Sequence, residues 1–184
     1  IYTFSVYFGM KGVQLSAATC TWLFFGLLAY VFFFGGQTRF IIEEGITALG
    51  NMTQNFIGRA TWTDSLRTSS FPQTWTIFYW AYWMVWCVAV PFFIGSISKG
   101  RTLRQVILGG YVFGLSGTFT SFIIMGNYGL GLQMHGKLDV LSSYAADGNL
   151  YHAILDILGQ LPLSKAVLIL LVLCMLTFYS TSFD

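Results

Sequence analysis

Four long segments of this chain are almost free of charged side chains, and that pattern restricts the fold more than any other feature. They cover about residues 15–38, 75–98, 105–126 and 165–184. The only charged residues within them are Lys165 and Asp184, at the two ends of the last segment. Each segment is close to the ~20 apolar residues that a helix needs to cross a bilayer core. Charged residues make up 9% of the chain, against about 25% in soluble domains. The sequence therefore predicts an all-α integral membrane protein with about four transmembrane helices.

The basic residues predict how these helices are oriented. Lys99, Arg101 and Arg104 lie in the short link after the second segment, which contains no acidic residue, and Lys11 lies on the same side by parity. Because Lys and Arg are enriched in cytoplasmic loops, this side is expected to face the cytoplasm. We expect a multi-pass protein of the cell membrane.

The segments on the opposite side carry helical patterns of their own. Over about residues 40–57 apolar side chains recur at helical spacing, which predicts an amphipathic helix in the outer interface. Over about 138–161 two short outer helices are expected, split by Asp147-Gly148, with Pro162 before the last span. Long segments of this kind often act as lids or gates. Caps that only seal the bundle explain the pattern equally well.

The ends of the sequence predict an internal piece of a longer protein. The chain begins with Ile1 in an apolar stretch, and the last apolar segment is still running at Asp184. We therefore expect residues 1–184 to be part of a single membrane domain, and any function to belong to the longer protein.

The stretch WTIFYWAYWMVW, residues 75–86, holds seven aromatic side chains and no charge. On a helix Trp75, Tyr79, Tyr82 or Trp83, and Trp86 share one face. An aromatic belt at the membrane interface explains the outer rings, such as Trp75. It does not explain Trp86, which lies roughly 16 Å deeper in the membrane than Trp75 at ~1.5 Å per residue. A face of rings without acids suits a quaternary ammonium ion, which is attracted to π faces and has no N–H. The residues alone leave three interpretations open: belt, packing and cation cage.

Longer motifs around these rings resemble the betaine/choline/carnitine transporter family. FPQTWTIFYWAYWMVW followed by ISKGRTLRQ resembles the family's eighth transmembrane helix and the turn after it. Upstream, GGQTRFI and ALGNMTQNF resemble the seventh helix and the surface helix that follows it. The resemblance covers nearly the whole chain, from about the end of helix 6 to helix 10 of twelve.

The resemblance implies a LeuT-like bundle of inverted repeats that transports trimethylammonium compounds such as betaine, choline or carnitine. It implies that Tyr82, Trp83 and Trp86 form part of a substrate cage and that Phe78 lines the access path. The other half of such a cage belongs to an earlier helix. The chain departs from the family pattern at Tyr82, where a Trp is usual, and around Cys87 and Gly95-Ser96. A tyrosine keeps a π face, so the cage survives in principle.

Hydroxyl groups near the end of the last apolar segment raise the question of a coupling ion. Sodium-coupled members of the family have an F-x-x-T-S pattern here, and Phe178, Thr181 and Ser182 match it. The resemblance thus favours a sodium site, with Phe178 acting through its backbone carbonyl. Hydroxyls that bond back to the helix are the alternative.

Other classes of function find little support in the sequence. No nucleotide-binding motif or catalytic triad pattern occurs, and His135 and His152 have no partner at metal-ligand spacing. We expect no enzyme activity, no nucleic-acid partner and no cofactor apart from the coupling sodium. A sodium-coupled transporter is favoured. A substrate/product exchanger of the same family and a non-transporting membrane subunit with packing aromatics remain alternatives, and a homo-oligomer is left open.

Overall fold

The computed structural model describes residues 7, 9–147 and 150–182, with only the helical backbone described at 9, 10, 13, 146, 147 and 180–182. Within these residues the secondary structure is helical and no strand occurs, as the sequence predicts for fold class. The helices are α1 (Gly9–Phe34), α2 (Thr38–Gln54), α3 (Phe56–Ala60), α4 (Phe71–Ile97), α5 (Leu103–Ser121), α6 (Asn127–Met134), α7 (Val140–Asp147), α8 (Leu150–Gly159) and α9 (Ser164–Ser182). A π-helical turn, Phe122–Gly126, joins α5 to α6.

Three stretches of helix among the described residues are long and apolar enough to cross a membrane. They are Gln14–Phe34, Phe71–Ile97 and Leu103–Met134. In the fourth predicted span the described apolar part of α9, Ser164–Tyr179, is shorter. The fourth crossing therefore stays a prediction, and so does the division of the chain into membrane and interfacial segments.

The chain divides into two compact units. One contains the described residues up to Ile46 and from Phe119 onward, and the other contains Thr47–Thr118. The first unit has a buried apolar core drawn from α1, α2, α6, α8 and α9. Its members are Leu27, Val31, Ile41, Tyr128, Leu132, Leu158, Leu161 and Val167. Burial of this apolar surface is the main force that holds the unit together.

Helices α1 and α9 pack against each other within the first unit. The Tyr30 hydroxyl, late in α1, donates a 2.6 Å hydrogen bond to the carbonyl of Pro162, just before α9. Farther along α9, the ring of Phe178 meets the edge of Phe24 with centroids 5.8 Å apart. These two contacts show that the helices run antiparallel.

The first long helix ends four residues before the predicted boundary at 38. Gly36 has φ +67°, a left-handed conformation that glycine adopts without steric cost. A Cβ added to Gly35 would lie 2.7 Å from the Tyr128 ring, so the backbone passes close to this ring and leaves no room for a side chain. The Thr38 hydroxyl then donates to the Phe32 carbonyl over 2.6 Å, and α2 begins. The break depends on packing against a residue far along the chain, which helical spacing alone does not reveal.

The third long helix continues past its predicted end at 126. After the π turn it runs on as α6, where Tyr128 and Leu132 are buried in the core. The helix continues beyond the predicted end because residues of its next two turns have apolar partners in the core.

In the second unit α4 and α5 are joined by a short link with a defined turn. Gly100 has φ +84°, and Arg101 N–H donates to the Ser98 carbonyl over 3.0 Å. Thr102 and Gln105 then form a capping box: Gln105 N–H donates to the Thr102 hydroxyl, and Thr102 N–H donates to the Gln105 side chain. The glycine reverses the chain and the box begins α5.

Candidate functional site

The aromatic helix α4 is preceded by a loop that closes around one carboxylate. The Asp64 side chain is only 6% exposed. It accepts hydrogen bonds from the backbone N–H groups of Thr68, Ser69 and Ser70, over 2.9 to 3.1 Å. It also accepts from the hydroxyls of Thr68 and Ser69. A carboxylate with this many donors organises the whole turn before the helix.

The same donors keep Asp64 ionised. The bond from the Ser69 backbone N–H has the largest effect, opposed by burial and supported by the two hydroxyls and Thr68 N–H. Together they lower the pKa of the Asp64 carboxyl from its ordinary 3.8 to about 2. Hydrogen bonds to the charged form favour that form, so the loop is held by a permanent anion at neutral pH.

A second tie fixes the start of α4 to this loop. Gln73, in the first turn, donates from its side-chain amide to the Thr63 carbonyl over 2.7 Å. Pro72 occupies the first turn as well, where its missing N–H costs nothing. The first turn of the aromatic helix is thus tied to the backbone at the start of the Asp64 turn.

From this start a continuous ladder of rings runs along one face of α4. Its members are Phe71, Trp75, Phe78, Tyr82 and Trp86, and neighbouring ring centroids lie 5.7 to 6.1 Å apart. The steps are four, three, four and four residues, which is helical spacing. The ladder extends roughly 22 Å from Phe71 to Trp86 at ~1.5 Å per residue.

Tyr82 is the centre of the deep half of the ladder. Its ring stacks on Phe78, with an angle of 18° between the planes. It meets Trp83 edge-on at 84° and 6.0 Å, and Trp86 at a 47° tilt and 6.1 Å. α4 therefore brings the four predicted ring residues together, and within the described part of the chain the ring contact of Trp83 is with Tyr82. Tyr82 is 48% and Trp83 58% exposed, so their ring faces are open to a ligand or another helix.

An open groove of about 390 Å³ lies beside the first turns of α4. Its walls include Arg59 of α3, Trp62 of the loop, and Phe71, Trp75 and Tyr79 of α4. Arg59 donates to the side chain of Asn51 over 3.1 Å, which fixes the one cation of the wall. The groove combines π faces with a positive charge at the end of the ladder nearest the Asp64 loop.

The three predicted sodium ligands lie on α9. Phe178 packs on Phe24 of α1, as described above, and the neighbouring Thr177 hydroxyl bonds back to the Leu173 and Cys174 carbonyls. Thr181 and Ser182 fall in the helix, but their side chains lie outside the described part of the structure. A sodium site involving them stays a prediction.

One of the two histidines, His135, has a defined structural setting. His135 follows α6, and its Nδ1 lies 2.7 Å from the Gly131 carbonyl. Its ring edge packs on Phe40, within a polar pocket of about 400 Å³ that also includes the Arg39–Glu43 ion pair. Among the described residues no group of three His, Cys, Asp or Glu side chains could hold a metal ion.

Sequence reasoning missed Asp64 and Gln73, the residues that tie down the start of α4. The available signal was an acidic residue followed at four to six positions by Thr-Ser-Ser, just before Phe-Pro, since such side chains bond to nearby backbone N–H groups.

Three stretches of helix are long and apolar enough to cross a membrane, and no strand occurs among the described residues. These features are those of a membrane protein. The chain belongs to the betaine/carnitine/choline family of transporters, whose family profile matches residues 1–184. The relationship indicated by the aromatic and S-K-G-R-T motifs is thereby confirmed.

Three curated relatives show how much of the family's length is present. A protein named carnitine transporter from Acinetobacter baumannii is 31% identical over the whole chain, which covers 33% of that protein. A probable glycine betaine transporter from Desulfitobacterium hafniense is 30% identical over 89% of the chain and 32% of its own length. The uncharacterized transporter YeaV of Escherichia coli is 30% identical over the whole chain, covering 38% of YeaV. The chain spans about a third of the length of the relatives it matches.

Proposed function

We propose that the protein containing this chain is a secondary active transporter of quaternary ammonium compounds, a multi-pass protein of the cell membrane. The observation that carries the proposal is the ring ladder of α4, with Phe78, Tyr82, Trp83 and Trp86 in mutual contact on a helix without charge. Family membership and the two relatives named for carnitine and glycine betaine support the substrate class.

The chemistry of the ladder suits a trimethylammonium group. Its charge is spread over methyl groups that donate no conventional hydrogen bond, so a carboxylate partner is not required. The faces of Trp and Tyr attract such a cation by about 0.5–2 kcal/mol for each ring, more where water is excluded. Rings from another part of the protein would complete the cage.

Ligand binding to the full-length protein tests the role of the rings. Trp86→Leu removes a π face and should weaken betaine or carnitine binding by about 1–2 kcal/mol, which is roughly five- to thirty-fold. Trp86→Phe keeps a ring and should lose less. Trp80 belongs to the same helix but makes no ring contact with the ladder among the described residues, so Trp80→Leu is the matched control. Equal binding by the Leu, Phe and wild-type proteins would show that the rings serve packing.

We further propose that transport is coupled to sodium through Thr181, Ser182 and the Phe178 carbonyl on α9. Sodium prefers oxygen ligands, and in transporters backbone carbonyls of interrupted helices supply some of them. Thr181→Ala with Ser182→Ala should raise the sodium concentration needed for half-maximal uptake, whereas Phe178→Leu keeps the carbonyl and should change it little. Substrate and sodium should raise each other's affinity by the same factor. Uptake at the same rate in sodium-free buffer would contradict the coupling and favour exchange.

A further inference from the structure

We infer that the Tyr82 hydroxyl extends the cage to protonated tertiary amines and so determines how strictly the site requires a fully methylated ammonium. This inference rests on the proposed function of the ladder. It concerns the number of methyl groups on the cation, which the presence of rings by itself leaves undetermined.

Among the three proposed cage residues and Phe78 of the access path, only Tyr82 has a side chain that accepts a conventional hydrogen bond. The indole N–H groups of Trp83 and Trp86 donate and do not accept, and Phe78 does neither, whereas a phenol oxygen does both. A quaternary ammonium has no N–H to offer. A protonated tertiary amine has one, and it needs an acceptor once it leaves water.

The surroundings of Tyr82 leave this oxygen unused. Within the described part of the chain the hydroxyl makes no hydrogen bond, and the contacts of Tyr82 are the ring contacts to Phe78, Trp83 and Trp86. The nearby Cys87 thiol is already directed to the Met84 carbonyl. A phenol that becomes buried usually finds a partner, and once a ligand covers Tyr82 a ligand N–H beside the stacked rings would supply one.

Tyr79 provides an internal comparison. It is a phenol on the same helix, one turn toward the groove, and its ring contacts Trp75 and Phe78 rather than Trp83 or Trp86. Ring faces at both positions attract either cation, because cation–π attraction does not require an N–H. Only a hydroxyl at the depth of the cage should distinguish the two cations.

The experiment compares betaine with N,N-dimethylglycine, which differ by one methyl group and keep the same carboxylate. Binding of both probes is measured on purified full-length wild type, Tyr82→Phe, Tyr82→Trp and Tyr79→Phe. Loss of a hydrogen bond to a charged donor should weaken dimethylglycine about tenfold or more in Tyr82→Phe, with betaine changed less than about threefold. Tyr82→Trp should behave alike, since its indole cannot accept, and Tyr79→Phe should keep the wild-type ratio.

The remaining outcomes separate this inference from the proposed function. Wild type that binds betaine but not dimethylglycine overturns the inference alone. Equal losses for both probes in Tyr82→Phe, or the same ratio change in Tyr79→Phe, also overturn it. Wild type that binds neither probe but does bind carnitine or choline overturns the inference alone. Wild type that binds none of betaine, dimethylglycine, carnitine and choline, although it remains folded in solution by size-exclusion chromatography, overturns the proposed function and the inference together.

Discussion

Asp64 holds a loop whose backbone is conformationally unusual. Asp64, Arg67 and Ser70 all have φ between +47° and +54°, which is uncommon for residues other than glycine. Each such residue adds strain, and the hydrogen bonds to the Asp64 carboxylate offset it. The turn that begins the aromatic helix therefore depends on one charge.

The lowered pKa of Asp64 predicts a pH dependence of stability. Its folded pKa of about 2 lies below the ordinary 3.8, so its contribution is fully present above pH ~4 and is lost as the pH falls toward 2. Asp64→Asn should be less stable at pH 7 and should lose less stability than wild type between pH 4 and 2. Thermal unfolding of the full-length protein in detergent across this range measures the difference.

Asp156 serves as the control for this prediction. It is exposed on α8, so Asp156→Asn should leave the acid limb of the stability curve close to that of wild type. If Asp64→Asn and wild type lose stability in parallel below pH 4, the carboxylate does not hold the loop.

The turn between α4 and α5 shows how an element boundary is built. Gly100 reverses the chain, and the reciprocal bonds of Thr102 and Gln105 satisfy two N–H groups that a helix start leaves open. The stretch SKGRTLRQ, residues 98–105, thus forms a turn and a helix cap in addition to carrying basic charge.

Loss of the cap should destabilise α5 measurably. Thr102→Ala removes the hydroxyl that accepts from Gln105 N–H and should cost about 1 kcal/mol of unfolding free energy. Thr102→Ser keeps the hydroxyl and should cost little. Because the two side chains form one box, Thr102→Ala with Gln105→Ala should cost less than the sum of the single changes. Additive losses in denaturant unfolding would show that the box is not cooperative.

The sequence predicts the ring face of α4 well because helical spacing is a local property. Counting threes and fours places Trp75, Tyr79, Tyr82 or Trp83, and Trp86 on one face. The structure adds Phe78, which lies between Trp75 and Tyr82 in the ladder, and shows that Trp83 joins through Tyr82. The end of α1 at Phe34 and the continuation of α5 into α6 were harder to predict. Both depend on Tyr128, which packs against Gly35 from more than 90 positions away. The Asp64 turn contains residues with positive φ and several hydrogen-bond donors to one carboxylate. Neither feature produces a periodic pattern in the sequence.

The orientation of the membrane protein remains a prediction from charge, and labelling tests it. A cysteine at Ser98, beside Lys99 and Arg101, should react with a membrane-impermeant reagent only from the cytoplasmic side. A cysteine at the exposed Ser65 should react only from outside. Ser65 is preferred to Ser69, which bonds to Asp64. The exposed Cys87 is replaced first, since it would otherwise contribute to labelling. The reverse pattern would overturn the orientation.

The Asp64 turn also has a consequence for digestion by proteases. Trypsin cuts after Arg or Lys only where several residues become extended in its active site, and surface loops usually permit this. Around Arg67 extension would break the bonds from Thr68, Ser69 and Ser70 to Asp64. The folded protein should therefore resist cleavage after Arg67, although the residue is exposed, and Asp64→Asn should be cut there much faster. An apparently open loop would then be one of the more durable surfaces of the molecule.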